Sequence, residues 1–448
     1  MEQSSDQEIS SPSKLEIHVS KKSRFLLWIW FLMTISIFII IIFFIIFIRI
    51  QSVFFVLDDK PNIETTIISQ RSTRATRVKL MSTEMITSKP SNISRVIPCN
   101  PLKFSKYSSY STGRTPWSFS SGHLDEDPYL DIVVVSRSGA RFGLYYGIGN
   151  GTFQPEKVYD SYQYPVYVAV KDINHDDKSD IIIPFSGIDT IGIFINRGSR
   201  IFSPIEKHYT GYYRIDYYPY WIDISDFNHN SLLDAVVVNG HDASVSIFYD
   251  YSNSNFTYTK IYPTGHDGIA VSIADFDNDT YEDFAVTDYS DNTISVYIND
   301  KNGFFKRRKK YLAGIAPWGM TTADLNNDQF VDIIVANHGS SRVSVSFNDG
   351  QGHFYKRDTY CIGGTPKAVA VADLNNDSFM DIIASNYKDN FIYIFLNNQD
   401  GTFLPYQTFK TDPEILAITT GDFNLDGKID IAVTSEGEDT LNILLNLC

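Results

Sequence analysis

One aspartate recurs at nearly constant spacing through most of the chain. Each copy follows a short loop rich in Asp and Asn and precedes an apolar run, and the intervals between copies are 49, 54, 49, 49, 49 and 49 residues. The seven copies are Asp131, Asp180, Asp234, Asp283, Asp332, Asp381 and Asp430. Self-similarity at a fixed period is typical of architectures in which each repeat is one supersecondary unit. This repeat therefore limits the possible folds more than any other feature.

Each repeat contains four short apolar segments separated by turn residues. In the sixth repeat these segments are residues 367–372, 382–385, 391–396 and 402–409. Four strands within about 49 residues predict one blade of a β-propeller. No helical periodicity separates the strands, which argues against an alternating α/β design. The sequence therefore predicts an all-β, seven-bladed β-propeller of four-stranded blades.

The ends of the repeat region predict how the ring closes. After Asp430 only two apolar segments remain, residues 431–435 and 441–447, so the seventh blade lacks its outer strand. Residues 104–116 match residues 354–366, which supply the outer strand of the fifth blade. We therefore expect residues 104–111 to pair with the last blade and cover its open edge, a 3+1 closure.

The three cysteines have different predicted roles. In the internal alignment Cys99 and Cys448 fall within one residue of each other, in the turn between a third and a fourth strand. This position predicts a disulfide that closes the ring in an oxidising compartment. In the chain-entropy account such a long loop contributes several kcal/mol. Cys361 lies on an outer strand, and we expect it to be a buried free thiol.

The loop before Asp283 is the richest in carboxylates. Asp275, Asp277, Asp279 and Asp283 stand at positions 1, 3, 5 and 9 of nine residues. Oxygens at alternate positions of a tight loop can converge on one point, which suits a hard cation that takes six to eight oxygen ligands. The alternative is a turn in which the Asx side chains bond their own backbone.

The pattern Asp-x-Asp/Asn-x-Asp-x-x-x-Asp, with an apolar strand on either side, resembles the FG-GAP or VCBS-type repeats. These repeats form the seven-bladed calcium-binding propeller of integrin alpha subunits and of many secreted proteins, and the resemblance covers residues 104–448. It implies Ca²⁺ bound through positions 1, 3, 5 and 9 together with the backbone carbonyl of position 7. The Gly-x-x-Pro element of that family has a counterpart at Gly314 to Pro317.

The resemblance implies about five well-formed Ca²⁺ sites and at most seven. The five, in blades two and four to seven, comprise Asp172, Asn174, Asp176, Asp180, Asp275, Asp277, Asp279, Asp283, Asp324, Asn326, Asp328, Asp332, Asp373, Asn375, Asp377, Asp381, Asp422, Asn424, Asp426 and Asp430. The weaker sets, in blades one and three, are Asp125, Asp127, Asp131, Asp226, Asn228, Asn230 and Asp234. Blade one has His123 at position 1, and imidazole is a poor ligand for so hard an ion. For these two blades the metal and turn interpretations both stay open.

The amino-terminal region predicts a membrane anchor. Residues 25–48 are uncharged and would span about 36 Å as a helix, which is enough to cross the hydrocarbon layer. The alternative, a cleaved signal peptide, has a shorter apolar region followed by a small-residue cleavage site. Basic residues are concentrated before the span, which predicts a cytoplasmic amino terminus. We therefore expect a single-pass type II membrane protein with a cytoplasmic tail (1–24), an anchor (25–48), a Ser/Thr-rich stalk (49–98) and an extracellular propeller (99–448).

The net charge of the chain and its N-glycosylation motifs further limit the possible binding partners. The formal net charge of −15 argues against nucleic acid, because phosphate neutralisation requires a basic surface. N-glycosylation acceptors outside the Asp-rich loops occur at Asn92, Asn150 and Asn255, and two more, Asn278 and Asn376, lie inside such loops.

The rim opposite the Asp-rich loops is the candidate ligand face. Aromatic residues occur at the entry to the first strands there. The predicted ligand-contacting residues are Tyr212, Tyr213, Tyr217, Tyr218, Trp221 and Trp318. Exposed aromatics suit a protein or sugar partner, although packing between blades is the alternative for the tryptophans. We predict a non-catalytic recognition or adhesion module for an extracellular protein or glycan ligand. The alternative is a lyase or hydrolase acting on polysaccharide, which needs titratable residues on the first strands, whereas these positions read mostly Ala, Val, Ile, Ser and Thr.

Overall fold

The computed structural model describes residues 99–211 and 218–448, and in this part of the chain 28 β-strands form seven sheets. Every sheet contains four antiparallel strands, and each sheet is one blade. The predicted all-β, seven-bladed propeller of four-stranded blades is confirmed.

The strands follow the repeat. In chain order they are β1 (Ser108–Ser111), β2 (Pro116–Gly122), β3 (Asp131–Ser136), β4 (Arg141–Tyr145), β5 (Lys157–Asp160), β6 (Ala169–Lys171), β7 (Asp180–Phe185), β8 (Thr190–Phe194), β9 (Glu206–Tyr209), β10 (Pro219–Ser225), β11 (Asp234–Asn239), β12 (Ser244–Ser252), β13 (Asn255–Pro263), β14 (Gly268–Ala274), β15 (Asp283–Asp288), β16 (Thr293–Asn299), β17 (Phe305–Leu312), β18 (Pro317–Ala323), β19 (Asp332–Asn337), β20 (Arg342–Asn348), β21 (Phe354–Cys361), β22 (Val369–Ala372), β23 (Asp381–Ser385), β24 (Phe391–Phe395), β25 (Gln407–Lys410), β26 (Ile415–Gly421), β27 (Asp430–Ser435) and β28 (Thr440–Leu444). Blades one to six are β2–β5, β6–β9, β10–β13, β14–β17, β18–β21 and β22–β25. A single 3₁₀ turn, His338–Ser340, lies among the described residues.

Blade seven combines both ends of the described region. Its strand order is β1-β28-β27-β26, so the amino-terminal strand β1 is the outer strand of the last blade. Ser108 pairs with Ile443 and Ser111 with Thr440, and a further bridge joins Phe104 to Asn446. The predicted 3+1 closure is therefore confirmed, and the open edge of β28 is covered.

The hydrophobic core lies between the blades. Every residue of the second strands, such as Asp283–Asp288 of blade four, is buried because both faces of the strand pack against neighbouring blades. Seven clusters of buried side chains result, each shared by two adjacent blades. One of them joins blade one to blade seven through Phe119 and Leu441, so the ring is closed by packing as well as by strand pairing.

The cysteines partly follow the prediction. Cys99 and Cys448 form the expected disulfide, which joins positions 349 residues apart in sequence. The expectation of a buried thiol at Cys361 is wrong, because this free cysteine is exposed. Residues of the outer strand β21 alternate between exposed and half-buried, and Cys361 ends that strand on the exposed side.

Several predictions concern residues outside the described part of the chain. These are the cytoplasmic tail (1–24), the anchor (25–48), the stalk (49–98) with Asn92, and the loop residues Tyr212, Tyr213 and Tyr217. Within residues 99–211 and 218–448 no helix has the length and hydrophobicity needed to cross a membrane.

Candidate functional site

Each Asp-rich loop joins the first strand of a blade to the second, so all seven lie on one rim. In blade four, Asp275 at position 1 accepts hydrogen bonds from the backbone N–H groups of Asp279 (3.0 Å) and Thr280 (2.7 Å). The equivalent pair of bonds recurs in blades two, three, five, six and seven. The side chains therefore do hold their own loops, as the turn interpretation proposed.

The repeat aspartate at position 9 is a structural residue in every blade. Asp283 is fully buried, and its two oxygens accept the N–H groups of Phe276 (2.9 Å) and Asn299 (2.7 Å). The same two bonds form at the other six aspartates. Burial raises the pKa of Asp283 to about 8. This residue ties the start of the loop to the end of the third strand of its blade.

Blade four brings three carboxylates together. Ligand oxygens of Asp275, Asp277 and Asp283 lie within 4.8 Å of one another, so this cluster could hold a metal ion. One oxygen of Asp277, Oδ1, is buried without a hydrogen-bond partner, and burial raises the pKa of this carboxyl group. A cation would supply the missing partner, and the donor set fits a hard ion. The fourth predicted ligand, Asp279, instead pairs with Lys301 at 3.1 Å.

Blade one contains the second cluster that could hold a metal ion, formed by Asp125, Asp127 and Asp131. Here an arginine of the next blade already supplies a positive charge. Arg200 Nε and Nη2 lie 2.9 and 2.8 Å from Asp125 Oδ2. In addition, His123 Nδ1 lies 3.1 Å from the carbonyl oxygen of Tyr129, the group that the resemblance assigns to position 7 of the metal site. Calcium would have to displace both contacts, so these residues fit the ion less well than those of blade four.

Arg200 occupies a position that other blades fill with glycine. It has a positive φ of 61°, and the equivalent residues Gly303, Gly352 and Gly401 have φ of 78°, 68° and 78°. A Cβ atom at Gly303 would lie 3.0 Å from Asn228 Cβ, at position 3 of the preceding blade's loop. A side chain at this position therefore reaches the neighbouring loop, which is how Arg200 reaches Asp125.

Blade three has its own arrangement. Asp250 follows the repeat aspartate at a position where five other blades have asparagine, and its Oδ1 accepts the amide groups of Asn228 (3.0 Å) and Asn230 (2.7 Å). Both amide groups therefore donate to a carboxylate of their own blade. Among the described residues, the acidic groups Asp226 and Asp234 of this loop do not form a three-carboxylate cluster.

In the remaining predicted sites the acidic ligand atoms lie farther apart. In the described part of the chain, the loops of blades two, five, six and seven do not bring three acidic ligand atoms within 4.8 Å of one another. Asn326 donates to Asp328 at 2.9 Å, and Lys178 lies 3.6 Å from Asp176. Their Asp and Asn residues keep the spacing along the sequence that the resemblance requires. Calcium at these four loops stays a prediction.

A set of buried asparagines links the loops of neighbouring blades, and the sequence analysis missed it. Asn348 is 1% exposed, and its amide group donates to the carbonyl oxygens of Phe276 in blade four (2.9 Å) and Val331 in blade five (3.1 Å). Equivalent bonds occur at four other residues, and we call the five the latch asparagines: Asn196, Asn299, Asn348, Asn397 and Asn446. Four of them recur every 49 residues, which is the signal that could have revealed them.

The opposite mouth of the channel contains an aromatic cavity of about 270 Å³. Six aromatic side chains line it, from blades one, two, three and five, and we call this cavity the aromatic mouth. These residues are Trp117, Phe119, Tyr167, Tyr220, Trp221 and Trp318. The structure thus brings the predicted residues Trp221 and Trp318 together with four that the prediction omitted. Phe119 is buried and the other five are half-buried, and Trp221 stacks on Tyr167 with ring centroids 4.0 Å apart.

Among the described residues on the wall of the aromatic mouth, Lys367 is the only charged one. It is 8% exposed, and burial lowers its pKa to about 8. Its ammonium group lies 5.0 Å from the ring centroid of Trp318 and 5.8 Å from that of Trp117. Trp117 belongs to blade one, whereas Lys367 lies at the start of blade six. The lysine side chain therefore extends past blade seven towards the part of the wall that blade one forms.

Tyr218, the described member of the predicted tyrosine cluster, does not line this cavity. Its ring stacks on His241 with centroids 4.2 Å apart, and its backbone N–H donates to Asp189 at 2.9 Å. Tyr218 is therefore fixed by packing beside the mouth.

The first strands do carry titratable residues, contrary to the sequence analysis. Lys171 ends β6, and Asp223 lies in β10 among the residues that line the channel. Burial raises the pKa of Asp223 to about 6, while the nearby Lys171 acts in the opposite direction. Most first-strand residues are Ala, Val, Ile, Ser or Thr, so the overall composition of these strands does not reveal the two charged residues.

Comparison with known protein families agrees with this geometry. The sequence profile of the FG-GAP-like repeat matches residues 123–183, 275–335, 324–384 and 373–433. The propeller contains FG-GAP-like repeats. Each matched FG-GAP-like segment begins at position 1 of one Asp-rich loop and extends through the following loop into a second strand, as in residues 275–335. No curated protein sequence matches the chain.

Solved structures share the fold at low identity. The chain is similar to BBS1N, crystallised in complex with ARL6DN, with a TM-score of 0.56 and 10% identity over 77% of this chain and 96% of that one. It is also similar to an Agrocybe aegerita lectin that recognises non-reducing terminal N-acetylglucosamine, with a TM-score of 0.48 and 19% identity over 76% of this chain and 86% of that one. Both likenesses concern the fold alone.

Proposed function

We propose that this protein is a non-catalytic recognition or adhesion module that binds an extracellular protein or glycan through the aromatic mouth. The aromatic mouth is the observation that carries the proposal. Binding sites for small groups are concave and mostly apolar, with few polar groups, and aromatic side chains dominate the energetics of many interfaces. Three tryptophans and a tyrosine that line one cavity meet this description.

The two rims have separate roles in this proposal. The Asp-rich loops and latch asparagines fix the geometry of one rim through buried hydrogen bonds. The aromatic mouth lies at the other end of the first strands, where Trp117 and Trp318 are held by strands β2 and β18. Side chains on rigid strands are positioned for a ligand before it arrives, which lowers the entropic cost of binding.

Substitution of the tryptophans tests the ligand face. We expect Trp117→Ala and Trp318→Ala each to weaken binding of the full chain by tenfold or more, measured on an immobilised glycan array and on fixed cells, because each removes a large contact surface. Tyr355→Ala is the matched control, since this aromatic residue is 66% exposed on the outer strand of blade five. Binding that is unchanged in both tryptophan variants and lost in the control would place the ligand on the outer strands.

We further propose that Ca²⁺ binds at the Asp-rich loops. Blade four is the best-supported site, because three carboxylates converge there and Asp277 Oδ1 has no partner. The calcium ion would supply positive charge and coordination to Asp275, Asp277 and Asp283, while the existing backbone hydrogen bonds of Asp275 and Asp283 hold the loop in place. In blade one, the guanidinium group of Arg200 forms an ion pair with Asp125 in place of a bound metal ion.

Calcium removal and two matched variants test this proposal. A ligand that binds only the folded state at a hundred times its Kd stabilises it by about 2.7 kcal/mol per site, so we expect EGTA to lower the thermal midpoint. Asp277→Ala should reduce this calcium-dependent shift and the number of ions bound in titration calorimetry. Asp125→Ala should lower the midpoint equally with and without calcium, because it breaks the pair with Arg200. A midpoint that EGTA leaves unchanged in the wild-type protein contradicts calcium binding.

The localisation completes the proposal. We place residues 25–48 across the membrane, with residues 1–24 in the cytoplasm and the propeller outside as an N-glycoprotein. Asn150 and Asn255 are exposed on the described surface and accessible to a glycan. Epitope tags at each end and protease treatment of intact cells test the topology, since a protected carboxyl-terminal tag contradicts it. Glycosidase treatment should shift the apparent mass of the wild-type protein more than that of a variant with both asparagines changed to glutamine.

A further inference from the structure

The aromatic mouth has an unusual charge balance for so acidic a protein. The formal net charge of the chain is −15, yet among the described residues that line this cavity the one charged side chain is that of Lys367. Arg137 adds a second positive charge beside it, with its guanidinium 4.4 Å from the ring centroid of Trp117. A positive charge on the wall of a cavity favours a ligand with a negative one.

The lysine is held in place without using its hydrogen-bonding capacity. Its Nζ lies 3.6 Å from the ring centroid of Tyr387, and the backbone of Lys367 is fixed by Ser385, whose Oγ accepts its N–H at 3.1 Å. No side-chain hydrogen bond of Lys367 Nζ occurs among the described residues, although an ammonium group has three protons to donate. The residue as a whole is 8% exposed, so its position on the wall is fixed by packing.

A second polar group on the same wall also lacks a partner. Ser118 lines the cavity, is 4% exposed, and its hydroxyl oxygen has no hydrogen-bond partner among the described residues. Buried polar groups in folded proteins are nearly always paired, so an unpaired hydroxyl on the same wall as Lys367 indicates that a bound group completes it. An oxygen-rich anion accepts from both donors.

The carboxylates that act on Lys367 do not take the place of a bound anion in the cavity. Glu414 and Glu436 act on Lys367 electrostatically, but neither lines the cavity. Glu436 also accepts a hydrogen bond from the Tyr387 hydroxyl at 2.9 Å. The ammonium group therefore stays available to a ligand on the cavity side.

We propose that the aromatic mouth binds a carboxylate-bearing sugar residue, with its carboxylate on Lys367 and its ring against the tryptophans. This inference rests on the proposed function and names the ligand class of the same site. The aromatic walls provide flat apolar surfaces on which the C–H face of a pyranose ring packs, and a cavity of about 270 Å³ admits one compact group rather than a chain. An acidic peptide side chain presents the same carboxylate but has no flat ring to cover the aromatic walls.

Paired probes that differ only in charge test the inference. We expect the full chain to bind methyl β-D-glucuronide about tenfold or more tightly than methyl β-D-glucoside in calorimetric or saturation-transfer NMR titrations, because only the acid accepts a charge-assisted hydrogen bond from the ammonium group. Lys367→Met should bring this ratio close to one. Lys367→Arg should keep the preference for the acid, and it also controls for disruption of the wall.

The outcomes separate this inference from the proposed function. Equal affinity of the wild-type protein for both sugars, or an acid preference that survives in Lys367→Met, overturns the inference alone. Tighter binding of a glutamate-rich peptide than of the glucuronide, or no binding of either sugar, also overturns it. The proposed function is decided separately, by whether Trp117→Ala and Trp318→Ala abolish binding to the glycan array and to cells.

Discussion

Replacing Cys99 and Cys448 together by serine should lower the free energy of unfolding by about 6 kcal/mol, which follows from the loop length in the chain-entropy account. The two cysteines are 349 positions apart, and in the reduced chain that whole segment gains freedom when it unfolds. With an unfolding entropy of about 2.1 cal/mol/K per residue, a propeller of about 350 residues should lose roughly 8 °C in thermal midpoint. Calorimetry under non-reducing conditions measures this shift.

The third cysteine provides the control. Cys361 is free and exposed at the end of β21, so Cys361→Ser should change stability by less than about 0.5 kcal/mol. The double variant should keep the propeller fold, because β1 still pairs with β28 and the cluster between blades one and seven is intact. Equal midpoints for the double variant and the wild-type protein would show that the disulfide does not constrain the unfolded chain.

The features that the sequence predicted correctly are those that recur within one repeat. A 49-residue period with four apolar segments implies one blade, and the absence of a fourth segment after Asp430 implies that another part of the chain completes the last blade. Cys99 and Cys448 follow from the same internal alignment. These inferences need only local strand patterns and the rule that exposed sheet edges are covered.

The features that the sequence did not reveal are contacts between repeats. The latch asparagines bond to carbonyl groups 72 residues earlier, which is longer than one repeat, and no single-repeat pattern contains both partners. Arg200 reaches Asp125 in the preceding blade, and Lys367 reaches the ring of Trp117 across the mouth. Such pairs depend on the curvature of the ring, which brings together positions that the sequence separates.

The two rims therefore place different demands on the sequence. On the Asp-rich rim, each loop satisfies its own backbone and the carbonyl groups of its neighbour, so the same residues recur in blade after blade. At the aromatic mouth, the residue at equivalent positions varies between blades, such as Trp117 and Trp318 in two blades and Lys367 in a third. Residues that recur in every blade stabilise the closed ring in the same way throughout. Residues that differ between blades can make specific contacts with a ligand.

The latch asparagines should be the most sensitive residues of the Asp-rich rim. In blade six, the amide of Asn397 donates to the carbonyl oxygens of Leu325 (2.7 Å) and Met380 (3.0 Å), and its Oδ1 accepts the N–H of Gly401 (3.2 Å). Asn397→Ala leaves these buried groups unpaired and should lower the free energy of unfolding by about 2–4 kcal/mol in urea titrations. The exposed neighbour Asn398 is the matched control, and Asn398→Ala should cost less than about 0.5 kcal/mol.

Blade three suggests how a carboxylate can be tolerated at the latch position. Asn397→Asp should cost about 3–5 kcal/mol, because it places an unpaired buried charge against two carbonyl oxygens and near Asp377. In blade three the equivalent Asp250 is accepted because Asn228 and Asn230 donate to it. Blade six already has Asn375, so adding Asp377→Asn to the Asn397→Asp variant recreates that set.

This double variant should recover about 1–2 kcal/mol of the loss, measured in calcium-free buffer so that metal binding does not contribute. The recovery tests whether the carboxamide pair is what stabilises a carboxylate at this position. Asp377→Asn alone should not stabilise the wild-type protein by the same amount, because Asn397 has no charge for the new amide to bond. Strictly additive effects of the two substitutions would mean that Asp250 and its asparagines are not an energetic unit, and that blade three holds its loop by backbone contacts such as the bond from Tyr251 N–H to the Leu233 carbonyl.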